Sequence, residues 1–237
     1  WYGTYRLMVP VLKALGLPAT LYVATYYLEK QTQVFNVAAA YVLWSARDRT
    51  VDLAGLVPGL AGPRLLVTAS QREQVLRGLE AHAETLDSAT ARQRLLRDLC
   101  GAAGVDPQSL EAGRMFAFMS ADEARQLPEM GIDLQLHTHR HRFPDTDFAD
   151  AEREILDNRA VLGALTTGQL RHFCYPSGHY SAHQLPWLAQ LGIASAVTTD
   201  PGFNGPDTPK GELRRILDSE AMAPIEFEAE VCGFRAL

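Results

Sequence analysis

Gly131-Ile132-Asp133-Leu134-Gln135-Leu136-His137-Thr138-His139-Arg140-His141 is the stretch on which the reading of this chain turns. A short apolar run behind a glycine has the length and composition of a buried strand. It runs directly into three imidazoles within five residues. Neutral imidazole is the commonest protein metal ligand. His137 and His141 are four apart, so one helical turn or a tight loop brings both to one side, while His139 points elsewhere. α/β folds build their active sites at the C-terminal ends of strands. A solvated, histidine-rich loop is the bland alternative, and three imidazoles in five residues favour a metal or catalytic role over it.

Outward from this stretch, helices and strands alternate. Leu7, Met8, Val11, Leu12 and Leu15 recur at helical spacing and Gly16 ends the run. Ala19 to Thr25 follows Pro18 as a strand rich in β-branched and aromatic residues. Glu29 to about Gln108 reads as helical and rich in Ala, Leu and Arg, with turns at Pro58-Gly59, Gly62-Pro63 and Gly101 to Gly104. Val37 to Trp44 is its longest apolar run, the mark of a buried helix. Ser120-Ala121-Asp122-Glu123 is a capping box opening a helix through Leu127, just before the strand Ile132 to Leu136. Asp150 to Leu165 reads as a helix, and His172 to Tyr175 as a strand stopped by Pro176-Ser177-Gly178. A helix Leu185 to Leu191, strands Ile193 to Thr199 and Leu213 to Leu217, and a closing helix Pro224 to Leu237 complete the pass. Such alternation predicts a mostly parallel sheet.

Composition narrows the classes. With 237 residues and 47% hydrophobic content the chain can build one sizeable core. A net charge of -6 argues against a nucleic-acid binder, which usually carries a basic face. No apolar run approaches the roughly 18 residues of a transmembrane helix. Three scattered cysteines, Cys100, Cys174 and Cys232, describe neither a disulfide framework nor a thiolate zinc site, and lean towards a reducing compartment over the cell envelope. The opening Trp1-Tyr2-Gly3-Thr4-Tyr5 reads as the middle of something, so residues upstream of Trp1 are expected.

Two further segments bear on chemistry. A strand running into Tyr175-Pro176-Ser177-Gly178 makes a sharp turn whose backbone N–H groups can serve an oxyanion; an ordinary turn is the alternative. Val197-Thr198-Thr199-Asp200 is a strand end where Asp200 can simply cap the turn. Aromatic residues Trp1, Tyr2, Tyr175, Tyr180 and Trp187 offer faces on which a ligand ring can stack, although Trp187 also sits at core spacing on its helix.

In order, Leu17 to Val23, Met130 to His141, Phe173 to Gly178 and Ala196 to Thr199 resemble the NodB-homology polysaccharide deacetylases, carbohydrate esterase family 4. The resemblance covers the chain except the helical stretch between about Gln31 and Met115. It implies an α/β fold, a distorted (β/α) barrel with fewer than eight strands. The whole chain, 1–237, would be one such domain with residues 31–115 as a helical insertion and its first strand upstream of residue 1. The implied activity is hydrolytic removal of N-acetyl groups from an amino-sugar polysaccharide or oligosaccharide. The implied cofactor is a divalent metal, zinc, at the mouth of the barrel. Matching motif by motif, His137 and His141 would be metal ligands and Thr138 would support the loop. The Ser177 amide would hold the oxyanion, and Tyr175, Pro176 and His179 would border the substrate.

Departures from the family pattern keep other readings open. The family's Thr-Phe-Asp-Asp motif, which supplies the base and a third ligand, is expected upstream of Trp1. Cys174 stands where an Arg is common. No His follows His183, so the general acid has no match; His179 and His183 are read as loop residues with substitution for that acid as the alternative. The rivals are a catalytically impaired barrel that binds glycan or serves as a partner in polysaccharide synthesis, and a hydrolase of another small amide on the same scaffold.

Overall fold

A computed structural model describes residues 1–58, 60, 62–219 and 221–234 of the protein. Its strands are β1 (Ala19–Val23), β2 (Thr50–Asp52), β3 (Pro63–Leu65), β4 (Ile132–Leu136), β5 (His172–Cys174), β6 (Ser195–Pro201) and β7 (Leu213–Arg215). Its helices are α1 (Val9–Ala14), α2 (Tyr26–Lys30), α3 (Phe35–Ser45), α4 (Ala69–Glu84), α5 (Ala89–Ala103), α6 (Pro107–Ala112), α7 (Ala121–Gln126), α8 (Phe148–Gly163), α9 (Leu185–Gln190) and α10 (Pro224–Val231). A π-helical turn, Thr4–Met8, leads into α1. The chain divides into two compact units, one of Trp1–Val11 with Tyr27–Ala124, the other of Leu12–Tyr26 with Arg125–Leu237.

The first unit is mainly helical. Ala38, Ala39, Val42 and Leu43 of α3 are wholly buried, and α3 packs on α4 and α5. Burying Val42 and Leu43 is worth about 1.5–3 kcal/mol each. Helix starts follow local chemistry: Thr68 and Gln71 exchange side-chain-to-backbone hydrogen bonds at the head of α4 (2.8 and 3.2 Å). The expectation of an all-helical stretch from Glu29 to Gln108 needs correction. β2 and β3 form a small antiparallel ribbon inside it. Thr50 and Val51 are β-branched and three residues are too few for a period to show, which is why the ribbon was hidden. Arg114 and Glu123 pair through two nitrogens (2.7 and 2.9 Å), while the Glu123 carboxylate also accepts from the Ser120 amide, so the expected capping box is present. Burial of these groups is partial, and the Arg114 partner holds the Glu123 carboxyl below its ordinary range.

The second unit carries a five-stranded sheet in the order β1-β4-β5-β6-β7, every neighbouring pair parallel. This is the α/β architecture expected, with fewer than eight strands. Parallel strands are covered on both faces, and β4 shows it: Ile132, Leu134, Gln135 and Leu136 are all buried. Gln135 can be buried because its amide is saturated. Its Oε1 accepts from the Arg171 and His172 amides (3.1 and 2.8 Å) and its Nε2 donates to the Gln169 carbonyl and Asp133 (both 2.9 Å). These bonds lock the entry of β5 beside β4. Helix α8 packs on β4 and buries Ala151, Glu154, Ile155, Asn158 and Leu162, a helical stripe holding two polar residues. Leu156 of the same helix is half exposed. The predicted closing helix is seen as α10, and residues 235–237 of that expectation lie outside the described residues.

Candidate active site

The histidine loop starts where β4 ends, and α8 dictates its path. His137 N–H donates to Asn158 Oδ1 (3.0 Å) in place of a further ladder partner. Asn158 Nδ2 donates in turn to the Val23 carbonyl at the end of β1 (2.8 Å) and to Thr25 Oγ1 (3.1 Å). One turn earlier on the same helix face, the Glu154 carbonyl accepts the His139 amide (3.0 Å). The Glu154 carboxylate, 2% exposed, accepts from the Arg140 amide (2.7 Å), Arg140 Nη1 (3.1 Å) and Arg142 Nε (3.0 Å). A buried carboxylate is tolerable only when so paired. Thr138 and His141 both adopt positive φ (60° and 58°), uncommon for residues with a Cβ and most so for a β-branched one. Such backbone persists where the surroundings over-determine it. Thr138, wholly buried, adds to that by accepting the Arg142 amide at its Oγ1 (3.0 Å).

The loop brings His137 and His141 together, with ring centroids 4.8 Å apart and planes at 75°. His137 Nδ1 lies 2.7 Å from the Cys174 carbonyl. A carbonyl only accepts, so Nδ1 carries the proton and Nε2 keeps its lone pair. Burial pushes the His137 pKa down to about 4; the Cys174 carbonyl opposes this, and the nearby His141 and Arg215 add to the fall. Burial also lowers the pKa of His141. Both imidazoles are therefore neutral near pH 7, the state that donates to a metal. Among the described residues no group of three or more His, Cys, Asp or Glu converges as a complete metal site. What the fold supplies is a pair of imidazoles with the tautomer set on one ring. His139 is not part of it: it is buried, its Nδ1 faces Thr25 Oγ1 at 2.9 Å, and its ring meets Tyr26 edge-on.

The second expected element is the turn after β5. Tyr175 N–H donates to the Val197 carbonyl (3.3 Å), Gly178 N–H to Tyr175 (3.0 Å) and His179 N–H to Pro176 (3.1 Å). Ser177 and Gly178 sit at φ 56° and 73°, the left-handed pair of a primed turn. Gly178 is required there, since a Cβ would lie 2.0 Å from Thr199 Oγ1. Ser177 and His179 are exposed and Pro176 is buried. Tyr175 was expected to border the substrate. It is wholly buried, its hydroxyl donates to the Gly211 carbonyl (2.9 Å), and its ring stacks on Tyr180 (4.5 Å). The Tyr175 ring supports the turn from inside, and the partly exposed Tyr180 forms the outer layer of that stack. Tyr180 donates to Glu212 (2.8 Å), and burial with that neighbour pushes its pKa up to about 12. His183 is pinned by its Nε2 to the Asp145 carbonyl (2.8 Å) and by its ring against Trp187.

A family model described as polysaccharide deacetylase matches residues 2–196. The chain belongs to the polysaccharide deacetylase family. Its fold is similar to that of the de-N-acetylase from Aggregatibacter actinomycetemcomitans, with a TM-score of 0.54 at 9% identity, covering 96% of this chain and 70% of that one. IcaB from Ammonifex degensii aligns with a TM-score of 0.50 at 15% identity, over 99% of this chain and 68% of its own. The BpsB deacetylase domain from Bordetella bronchiseptica gives 0.50 at 14% identity, over 91% and 67%. Two further structural matches, from Bacillus anthracis and Bacillus cereus, have only 38% of their length covered by this chain. No curated protein matches the sequence. No helix among the described residues is long and apolar enough to cross a membrane.

Sequence reading missed Glu154, Asn158, Thr25 and Arg215. For the first two a signal existed: a Glu and an Asn four apart on the apolar stripe of a helix need buried partners. Thr25 and Arg215 carried none, since only folding brings β1 and β7 near the loop.

Proposed function

We propose that this protein hydrolyses N-acetyl groups from an amino-sugar polysaccharide or oligosaccharide, with a divalent metal, zinc, held by His137 and His141. The observation that carries the reading is the Nδ1–H of His137 spent on the Cys174 carbonyl, with His141 beside it in a family member. When bound, the metal would supply Lewis-acid polarisation of the acetyl carbonyl and acidify a water. The other tasks fall to the chain. Glu154 and Asn158 hold the loop, so the two rings keep one geometry and little reorganisation accompanies binding. The Ser177 amide, at an exposed turn fixed by Gly178 and Thr199, stands as donor to the developing oxyanion. Pro176 stiffens that turn, and the exposed His179 ring borders the sugar. The proton from the attacking water goes to the carboxylate base that the family resemblance implies. The products are acetate and a free sugar amine.

The test is acetate release from N-acetylated chitooligosaccharide by the full-length protein, after chelation and again after zinc is restored. Release that returns with zinc and vanishes in His137→Ala and His141→Ala supports the reading. Undiminished turnover in either variant refutes it. No release by a zinc-loaded protein that binds acetylated glycan favours the non-catalytic barrel, and release from a small amide alone favours the third reading.

A further inference from the structure

Helix α8 fixes the first histidine of the pair, and a different element bears on the second. Among the described residues no hydrogen bond reaches the backbone or the ring of His141, whose φ is 58°. A left-handed residue with a Cβ keeps its place only where its neighbours over-determine it. Arg142 ties back to Thr138 within the loop, and to Glu154 by a side chain mostly in water, a hold that water weakens. Phe143 and Pro144, two and three residues past His141, enter a clamp built on the short 3-10 turn Ala182–Gln184. Gln184 is wholly buried. Its Nε2 donates to the Phe143 and Pro144 carbonyls (3.3 and 2.9 Å), and its Oε1 accepts the Ser181 amide (2.8 Å). Both ends of the amide are thereby used, as burial demands. His183 Nε2 donates to the Asp145 carbonyl (2.8 Å). The Phe143 ring closes the clamp against Phe173 of β5 (5.2 Å), Tyr175 (6.0 Å) and Trp187 of α9 (6.4 Å). Pro144 fixes its own φ and confines Phe143 to extended backbone, so the clamped segment is stiff. Two residues of chain reach about 7 Å at most, so a fixed Phe143 leaves His141 little room to move. A connecting loop can leave its carbonyls to water; here a buried amide is spent on two of them.

We infer that Gln184, with His183 beside it, is the positioning residue of His141: it holds Phe143 and Pro144, and through them keeps the second imidazole against the first. The pair is then set by two separate supports, Asn158 of α8 for His137 and the Ala182–Gln184 turn for His141. The inference deepens the deacetylase reading, on which its zinc readout rests, while its first readout needs neither metal nor turnover.

Backbone ¹⁵N relaxation of the metal-free, full-length protein compares the wild type with Gln184→Met, which keeps the length of the side chain and removes its hydrogen bonds, and with His183→Ala. A rigid amide has an order parameter of about 0.85 and a flexible one below about 0.6. In the wild type the His137 and His141 amides are both expected near the rigid value. In Gln184→Met only that of His141 is expected to fall into the flexible range, and in His183→Ala it falls by less. A residue that merely stabilised the fold would loosen both histidines or neither. Zinc supplies the second readout: affinity by calorimetry is expected to fall about tenfold or more in Gln184→Met, the usual loss of an outer-shell partner. An unchanged His141 order parameter in Gln184→Met, or equal loosening of His137, overturns the inference. So does wild-type zinc affinity in Gln184→Met when His141→Ala has lost it. Should Gln184→Met fail to fold, an unchanged His141 order parameter in His183→Ala overturns it equally. A wild type that binds no zinc, or that binds it no better than His141→Ala, refutes the metal reading instead, and the order parameters alone then decide this assignment.

Discussion

Replacing Asn158 by alanine isolates the contribution of α8 to the histidine loop. Asn158 is wholly buried and makes three hydrogen bonds: it accepts the His137 amide and donates to the Val23 carbonyl and to Thr25. Truncation leaves the His137 N–H buried without a partner and takes one partner from Val23. Thr25 still has His139 at 2.9 Å. A buried group stripped of its partner costs about 1–3 kcal/mol. Two affected groups give a loss of about 2–6 kcal/mol, a large part of the 5–15 kcal/mol that a typical domain has. Urea denaturation checks this as a fall in midpoint at unchanged slope. The same change frees the backbone that aims His137, so zinc affinity should fall about 10- to 100-fold, the usual effect of losing an outer-shell partner. Asn158→Asp keeps the acceptor for His137 but turns the donor towards Val23 into a second acceptor, so it should not restore stability at pH 7. A loss below about 1 kcal/mol in Asn158→Ala, with zinc affinity like that of the wild type, would show that the loop stands without the helix and would refute the argument.

Other consequences can be checked independently. His137 has a folded-state pKa of about 4, below its unfolded value near 6.5, so between those values the unfolded chain binds more protons. The metal-free protein should therefore lose stability as pH falls from about 6.5 to 4, and His137→Gln should flatten this slope in denaturation midpoints taken across that range. Gly178→Ala would place a Cβ 2.0 Å from Thr199 Oγ1 at φ 73°, and thermal melts should show a loss above about 2 kcal/mol. Thr199→Ala should recover only part of that loss, because the Thr199 Cβ would still lie 2.8 Å away. Glu154→Gln removes the charge that gathers Arg140 and Arg142, while both arginines keep access to water; a loss of about 1–3 kcal/mol and weaker zinc binding are expected by denaturation and calorimetry. In the helical unit, Thr68→Ala should cost about 1 kcal/mol without touching zinc affinity.

Much of the second unit was legible in the residue string. The strand Ile132–Leu136 was read to the residue, because a short apolar run between a glycine and a polar cluster is a local signal. The pairing of His137 with His141 was also readable, since a four-residue separation with both rings on one side is a short-range property. The ribbon of β2 and β3 was not readable, for three-residue strands pair by tertiary context and show no period of their own.

By itself, then, the order of residues determined the class of fold, the family and the identity of the histidine pair. Each of these rests on local pattern, carried by neighbours along the chain. Tertiary structure alone decided which ring nitrogen of His137 is free, because the Cys174 carbonyl that settles it is 37 residues away. It alone put Tyr175 in the core, by bringing the Gly211 carbonyl to its hydroxyl, and it alone brought the Arg215 side chain to the Thr198 carbonyl of the neighbouring strand. Hydrogen bonds and charges act through space at a few ångströms, so partners distant in sequence are chosen only when the sheet assembles.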